Sequence, residues 1–231
     1  DRYGEDFDAN DGNPGEIQWD DSNFEVAVSG TVYSDDGATI MGTGVCDGST
    51  ANVRIVVDGG AYASSTSCDA SGAYNFPAVS YNGDPTIVVY LNDVPSGEVG
   101  SVITRTPTAD ITDLDIYANR VMTRHENLAP MTIARLAVYD ETDDSDLRFL
   151  AATGTTDTLT VRPDTELIVA SSTTFAPGGN ITLQSAGSGN PYDGSLHLDE
   201  DASFVAAGTE THTIGGSFFN DAGSTFTAAS S

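Results

Sequence analysis

From Phe24 onward the chain is written in short runs that alternate apolar and polar residues. FEVAVSGTVYS (24–34) has a period of two, the period of a strand with one buried face. ANVRIVVDGG (51–60), GAYNFPAVS (72–80) and TIVVYLND (86–93) follow at the spacing of a small β-sandwich, and β-branched residues fill them. Turn residues separate the runs at Asp35-Asp36-Gly37, Asp58-Gly59-Gly60 and Asn82-Gly83-Asp84-Pro85, and YNGDPTIVVYL (81–91) predicts a hairpin. NRVMTRHE (119–126) reads as a further strand, with Arg124, His125 and Glu126 alternating about it. PMTIARLAVYDET (130–142) predicts a short helix started by Pro130 or Thr132, with Ile133, Leu136 and Ala137 on its apolar face.

Past residue 157 the runs shorten and recur. Sliding 158–183 along by 37 residues sets Leu159 on Leu196, Val161 on Leu198, Asp164 on Asp201, Leu167 on Phe204 and Gly178-Gly179 on Gly215-Gly216, with six identities in 26 positions and no gap. Short alternating strands at a fixed repeat predict a β-solenoid-like stack with the glycine pair at a corner. A second sandwich, with the two copies as packed hairpins, is the competing architecture. A third copy would begin one residue past Ser231, so the chain is expected to stop at a coil boundary with unpaired strand edges.

These patterns divide an all-β chain into four parts: an extended acidic arm at 1–23, a β-sandwich at 24–105, a β-rich connection with an acidic loop at 106–157, and a two-copy repeat at 158–231. The arm has no hydrophobic period and stays extended unless something binds it. Its large apolar residues include Phe7, Ile17 and Trp19, the candidate assembly contacts.

Composition narrows the partners. The 231 residues are 39% hydrophobic, enough for a real core, yet they carry 35 acids against eight arginines and no lysine, for a net charge of −27. Such a chain repels phosphates and anionic lipid, so nucleic acid and membrane surfaces are disfavoured, while divalent cations, cationic partners and high salt are favoured. No run of about 18 apolar residues offers a membrane span. A start at Asp1 rather than Met leads to the expectation of a processed mature chain or a fragment, and the overall composition to an exported, extracellular or cell-surface protein.

Candidate chemistry is sparse. Asp6, Asp8 and Asn10 stand at positions one, three and five of a calcium-loop rhythm, but Asp11 replaces the glycine and Ile17 the bidentate glutamate of an EF-hand. Asp140, Asp143, Asp144 and Asp146 form a second dense oxygen set, and calcium is the one cofactor these patterns suggest. His125, His197 and His212 have no cysteine or carboxylate at a known metal spacing, and His197, between Leu196 and Leu198, is expected to point away from the core. No nucleophile elbow, phosphate loop or H-E-x-x-H motif is present, so a non-enzyme is expected.

VSGTVYSDDG, NVRIVVDGG and TSCDASGAYNF together resemble the carboxypeptidase regulatory-like, transthyretin-like and Cna-B-like β-sandwiches. The resemblance rests on Gly30-x-Val32, Val53-x-Ile55-x-Val57 and Asp69-x-x-Gly72-x-Tyr74, and covers about residues 24–105. It implies a spacer or binding accessory of an exported protein. The Lys–Asn isopeptide crosslink of some Cna-B-like domains is impossible without lysine. A Cys46–Cys68 disulfide would do a similar job by closing a loop of about 22 residues; two buried free thiols are the alternative. The C-terminal part, TLTV…TTFAPGGNITL, loosely resembles Thr/Gly-rich repeats of large bacterial surface proteins.

The expected function is therefore structural: a self-associating subunit of an extracellular filament or cell-surface layer, assembling by strand addition or by stacking of the repeat end. The alternatives are a glycan- or protein-binding adhesin module on a β stalk, with Tyr33, Tyr62, Tyr74 and Tyr81 as face candidates, or an accessory fragment of a large secreted enzyme.

Overall fold

The structure, a computed structural model, describes residues 24–35, 37–41, 45–46, 51–105 and 107–228. The arm at 1–23, with Asp6, Phe7, Asp8, Asn10, Ile17 and Trp19, lies outside the described residues. Strands β1 (Phe24–Tyr33), β2 (Val53–Val57), β3 (Tyr62–Thr66), β4 (Ala73–Tyr81), β5 (Thr86–Leu91) and β6 (Ser101–Arg105) come first. Then follow β7 (Ile116–Tyr117), β8 (Arg120–Thr123), the single-turn helix α1 (Ile133–Leu136) and β9 (Phe149–Ala152). The rest is strand: β10 (Asp157–Val161), β11 (Glu166–Val169), β12 (Thr174–Phe175), β13 (Gly179–Leu183), β14 (Leu196–Leu198), β15 (Ser203–Ala206), β16 (His212–Ile214), β17 (Phe218–Asn220) and β18 (Thr225–Ala228). The fold is nearly all β.

One sheet of eight strands, in the order β17-β14-β11-β8-β6-β5-β2-β3, joins both halves of the chain. It is antiparallel from β3 to β6 and parallel from β6 to β17. Both faces of its central strands are covered, and β5 shows why its sequence is an unbroken apolar run. Ile87, Val89 and Leu91 enter one core, shared with Val28, Val32 and Phe76 of the three-stranded sheet β4-β1-β7. Val88 and Tyr90 enter the other, shared with Ile133 and Leu136 of α1, Phe149 of β9 and Leu159 of β10. The expected boundaries at 105/106 and 157/158 are thus crossed by strand pairing: β8 pairs with β6 on one side and β11 on the other, and β7 pairs with β1.

The hairpin expected at 81–91 does not form. β4 pairs with β1, while β5 pairs with β2 and β6, so Asn82–Pro85 carries the chain from one layer to the next. A strand buried on both faces belongs inside the central sheet, whereas β4, buried on alternate residues, suits an outer layer. The hairpin lies instead between β2 and β3, turned by Asp58, Gly59 and Gly60 with φ of 46°, 68° and 115°. Its second strand, Tyr-Ala-Ser-Ser-Thr, is a half-exposed edge too polar to stand out in sequence. The helix forms as expected, with Thr132 Oγ1 accepting from Arg135 N–H and Ile133 and Leu136 buried. β8 ends at Thr123, so Arg124, His125 and Glu126 lie beyond the strand.

Gly30, the glycine of the Gly30-x-Val32 pair, marks where β1 meets the segment leading to β7: a Cβ there would sit 2.3 Å from the Leu114 carbonyl oxygen. Cys46 and Cys68 are bonded to one another. Asp69 holds the turn after Cys68 by accepting from Ser71 and Ala73 N–H, and Gly72 supplies the φ of +74° that the turn needs.

The C-terminal strands wind as a three-sided coil of three turns: β10-β11-β12, then β13-β14-β15, then β16-β17-β18. Each strand lies parallel on its predecessor one turn back. The 37-residue register is not the one the structure uses. Leu159 stacks on Ile181 rather than aligning with Leu196, and Leu196 lies between Leu167 and Phe218. The step is 22 residues at Ser195/Ser217 and Ser203/Thr225, and stretches to 31 at Asn180/Thr211. A shift of 37 slides each strand onto the next side of the coil, and because every side alternates with the same period the pattern survives the error. The true repeat is marked by the corner residues Ser172, Asp201 and Gly223, all left-handed with φ of 57°, 59° and 77°. The two glycine pairs do not correspond: Gly179 opens β13 beside Asp157, whereas Gly215-Gly216 follows β16.

The longer step in the second turn accommodates an insertion after β13, organised by Asp193. This buried carboxylate accepts from Asp164 N–H (2.7 Å), Ser185 Oγ–H (2.7 Å) and the N–H groups of Ala186 and Gly187 (3.0 and 2.9 Å). Those donors, Asp164 N–H first, hold its pKa well below the usual carboxylate range.

Two outcomes follow for stability. Replacing Cys46 and Cys68 together by alanine removes a crosslink of sequence separation 22 and is expected to cost about 3 kcal/mol, read from urea denaturation. For Asp193, the depressed folded pKa contributes stability above the unfolded value near 3.8 and loses it as pH falls through the folded value. Asp193→Asn should melt lower than wild type at pH 6, with the gap closing below about pH 4.

Candidate functional site

The parallel strands β8, β11, β14 and β17 stack equivalent residues in rows. Val121, Leu167 and Leu196 point into the core of the coil, while Met122 and Ile168 belong to the core beneath β4-β1-β7. His197 is next in that second row, followed by Phe219. His197 therefore points away from the coil interior, as expected, but onto a face that carries carboxylates. Two residues further along each strand stand Ala170, Asp199 and Asp221, where the chain leaves the sheet.

The cluster on this face is built from three strands. His197 Nε2 lies 3.2 Å from Asp221 Oδ2 and 3.7 Å from Asp199 Oδ1, and His197 Nδ1 lies 3.8 Å from Glu166 Oε1. Glu166 is buried to 1% exposure and ion-paired through Oε2 to Arg120 Nε at 3.0 Å, its neighbour across the ladder. Arg120, equally buried, donates to the Ala118 carbonyl and lies 3.9 Å over the Tyr192 ring. Glu166 Oε1 and His197 Nε2 are buried atoms without a hydrogen bond. Burial pushes the carboxyl pKa of Glu166 up against the pull of Arg120, and burial likewise raises that of Asp199, with Asp221 adding to the effect. His197, Asp199 and Asp221 are the donor types that could hold a divalent cation, and their ligand atoms lie within 4.8 Å of one another.

Asp199 also borders a cleft of about 590 Å³ between the β7 edge and the end of β8, floored by Met122 and Ala170. Asp113, Asp115 and Tyr117 form one wall. Arg124, His125 and Glu126 also line it, with Arg124 donating to the Thr112 and Asp113 carbonyls. Asp115 is raised by burial and by Asp113, although Thr31 N–H donates to it at 2.7 Å. Burial, with the charges of Asp115 and Asp199, pushes the Tyr117 phenol up to about 12. His125 accepts from Thr174 N–H at 3.1 Å through Nε2, and burial lowers its pKa, so it is neutral near pH 7.

The acids of the 140–146 loop accept hydrogen bonds from the loop and its neighbours. Asp140, 3% exposed, accepts from Thr142 N–H and Oγ–H and from Ala151 N–H. Asp143 accepts from Asp140 N–H, Asp144 from Tyr90 O–H and Asp146 N–H, and Asp146 from Asp93 N–H. Their oxygens are turned onto separate donors, and no three of the four converge on one point. The tyrosines do not share a face either: Tyr74 is buried on the Leu114 carbonyl, Tyr33 stacks on Tyr117, Tyr81 on Phe24, and Tyr62 donates to Ala78. His212 packs edge-on against Phe204 beside Glu210.

Sequence reasoning missed the His197 cluster because its members come from β11, β14 and β17. Two signals were present: His197-x-Asp199 puts both side chains on one strand face, and Asp221 follows Asp199 by the 22-residue step of the coil.

Arg120→Met leaves the Glu166 carboxylate buried and unpaired, and should cost about 3–5 kcal/mol in urea denaturation; Arg120→Met with Glu166→Leu should recover most of that loss.

No family model, curated protein or solved structure matches this chain.

Proposed function

We propose that the chain is a non-catalytic extracellular structural protein, a subunit of a filament or cell-surface layer. In this reading a transthyretin-like sandwich is fused to a β-solenoid-like coil. The observation that carries it is the state of the last turn. β16, β17 and β18 are the terminal strands of three sheets, so the same turn presents three edges without a partner among the described residues. Its apolar side chains are open as well: Phe218 is 45% and Phe226 42% exposed, against 2% for Leu196 and 1% for Phe204 one turn back. Unpaired edges beside an exposed apolar face are a template for further strands.

The opposite end of the coil is covered. β9 runs antiparallel on β10, and Met131 bridges to Phe175 of β12. Turn-on-turn stacking from head to tail is therefore blocked, and two last turns facing each other would close as a two-fold dimer. Growth into a filament needs a donor from elsewhere. We assign that role to residues 1–23 of the next copy, with Phe7, Ile17 and Trp19 as its apolar contacts. A net charge of −27 opposes packing of copies, so assembly should strengthen with salt or calcium. The disulfide supports an oxidising compartment. A binding module is the second reading, favoured by the 590 Å³ cleft with Tyr117, Arg124 and Asp199 around it.

Electron microscopy and sedimentation velocity at high protein concentration, with and without calcium and added salt, test the proposal. Wild type should assemble, and both deletion of 1–23 and Phe218→Asp/Phe226→Asp should leave monomers. A wild type that stays monomeric in every condition overturns the structural reading. Assembly that survives both changes overturns the assignment of arm and last turn.

A further inference from the structure

We infer that His197, Asp199 and Asp221 form a binding site for one divalent transition-metal ion of the zinc class, fastening the last turn of the coil to the one before it. The inference is independent of how copies assemble.

The geometry is that of ligands around a common centre. An ion bound at about 2.0–2.2 Å in a tetrahedron separates its ligand atoms by roughly 3.3 Å. The Nε2–Oδ2 and Nε2–Oδ1 separations of 3.2 and 3.7 Å bracket that value, although Nε2 makes no hydrogen bond to either carboxylate. The 3.2 Å contact is within hydrogen-bond reach, yet Nε2 has no hydrogen-bond partner, and an ion shared by Nε2 and the two carboxylates meets both distances.

The surroundings of the imidazole supply the independent argument. A metal-bound histidine gives its other ring N–H to a carboxylate, which fixes the tautomer and strengthens the ligand. Glu166 stands there: its Oε1 faces His197 Nδ1 at 3.8 Å, buried and without another partner, while Arg120 anchors Oε2 from behind. The chain Arg120–Glu166–His197 thus leaves Nε2 free to coordinate. One imidazole and two carboxylates suit zinc or manganese better than calcium, which takes oxygen ligands. His197 and Asp199 come from the end of β14 and Asp221 from the end of β17, so the ion spans two successive turns. With three protein ligands, a further coordination position remains for water or for a group reaching in from the cleft that Asp199 borders.

Isothermal titration of the full chain with Zn²⁺ tests this, in excess Mg²⁺ to occupy the many scattered carboxylates. Wild type should bind one equivalent, and Co²⁺ in its place should give the visible absorption of a nitrogen-and-oxygen site. His197→Asn and Asp221→Asn should each abolish that equivalent, and Asp221, on an exposed turn, can be changed without threatening the fold. Glu166→Gln should weaken binding about 10–100-fold. Hydrogen exchange in β16–β18 should slow on adding Zn²⁺ to wild type and not to Asp221→Asn. A wild type that binds Zn²⁺ no better than either variant overturns the site.

Discussion

The eight-stranded sheet is the constraint on which the rest depends, because its central strands are buried on both faces. A strand such as β5 can be apolar at every position only where another layer lies above and below it. That requirement places β4-β1-β7 on one face and α1 with the coil on the other. It also makes the strands β1–β6 and the coil mutually dependent. Cutting the chain between β6 and β8 would strip a ladder partner from each and open both cores at once. The direction of the sheet changes at the same place. Antiparallel strands joined by short turns give way to parallel ones, which need the longer return path that a coil provides.

Much of this was legible, and what was not has an identifiable cause. Strands β1, β2, β4 and β5 announce themselves by period and β-branched content, and α1 by its Thr132 cap. Pairing did not follow from those signals. The turn residues at 82–85 look like a hairpin because a chain crossing between layers needs the same glycine and proline as one folding back. Only the burial of both β5 faces separates the two, and an unbroken Ile-Val-Val-Tyr-Leu run was its trace in the sequence.

The coil register failed for a related reason. Alternation says which residues face inward but not which side of the coil they occupy, so a comparison that slips by one side still matches apolar to apolar. The corners hold the better signal. Ser172, Asp201 and Gly223 share a backbone conformation that most residues resist, and the residue types that tolerate it differ enough to hide the equivalence from identity counting. Losing that register also hid the His197 cluster, because Asp199 and Asp221 are equivalent only when the turns are aligned correctly.

The cluster's position follows from where the covering layer ends. Along one row of the outer face, Met122 and Ile168 are 8% and 4% exposed beneath β4-β1-β7, and the next residue is His197. Beyond the covering sheet an apolar side chain would gain little from burial, so polar groups cost little there. Just inside it, the Arg120–Glu166 pair has no access to water and must satisfy itself. His197 sits at the crossing of these two regimes. One ring nitrogen faces a carboxylate held in the interior, and the other faces carboxylates at the rim. A neutral imidazole can donate from one ring nitrogen and accept or coordinate through the other, and this boundary is where that property has a use.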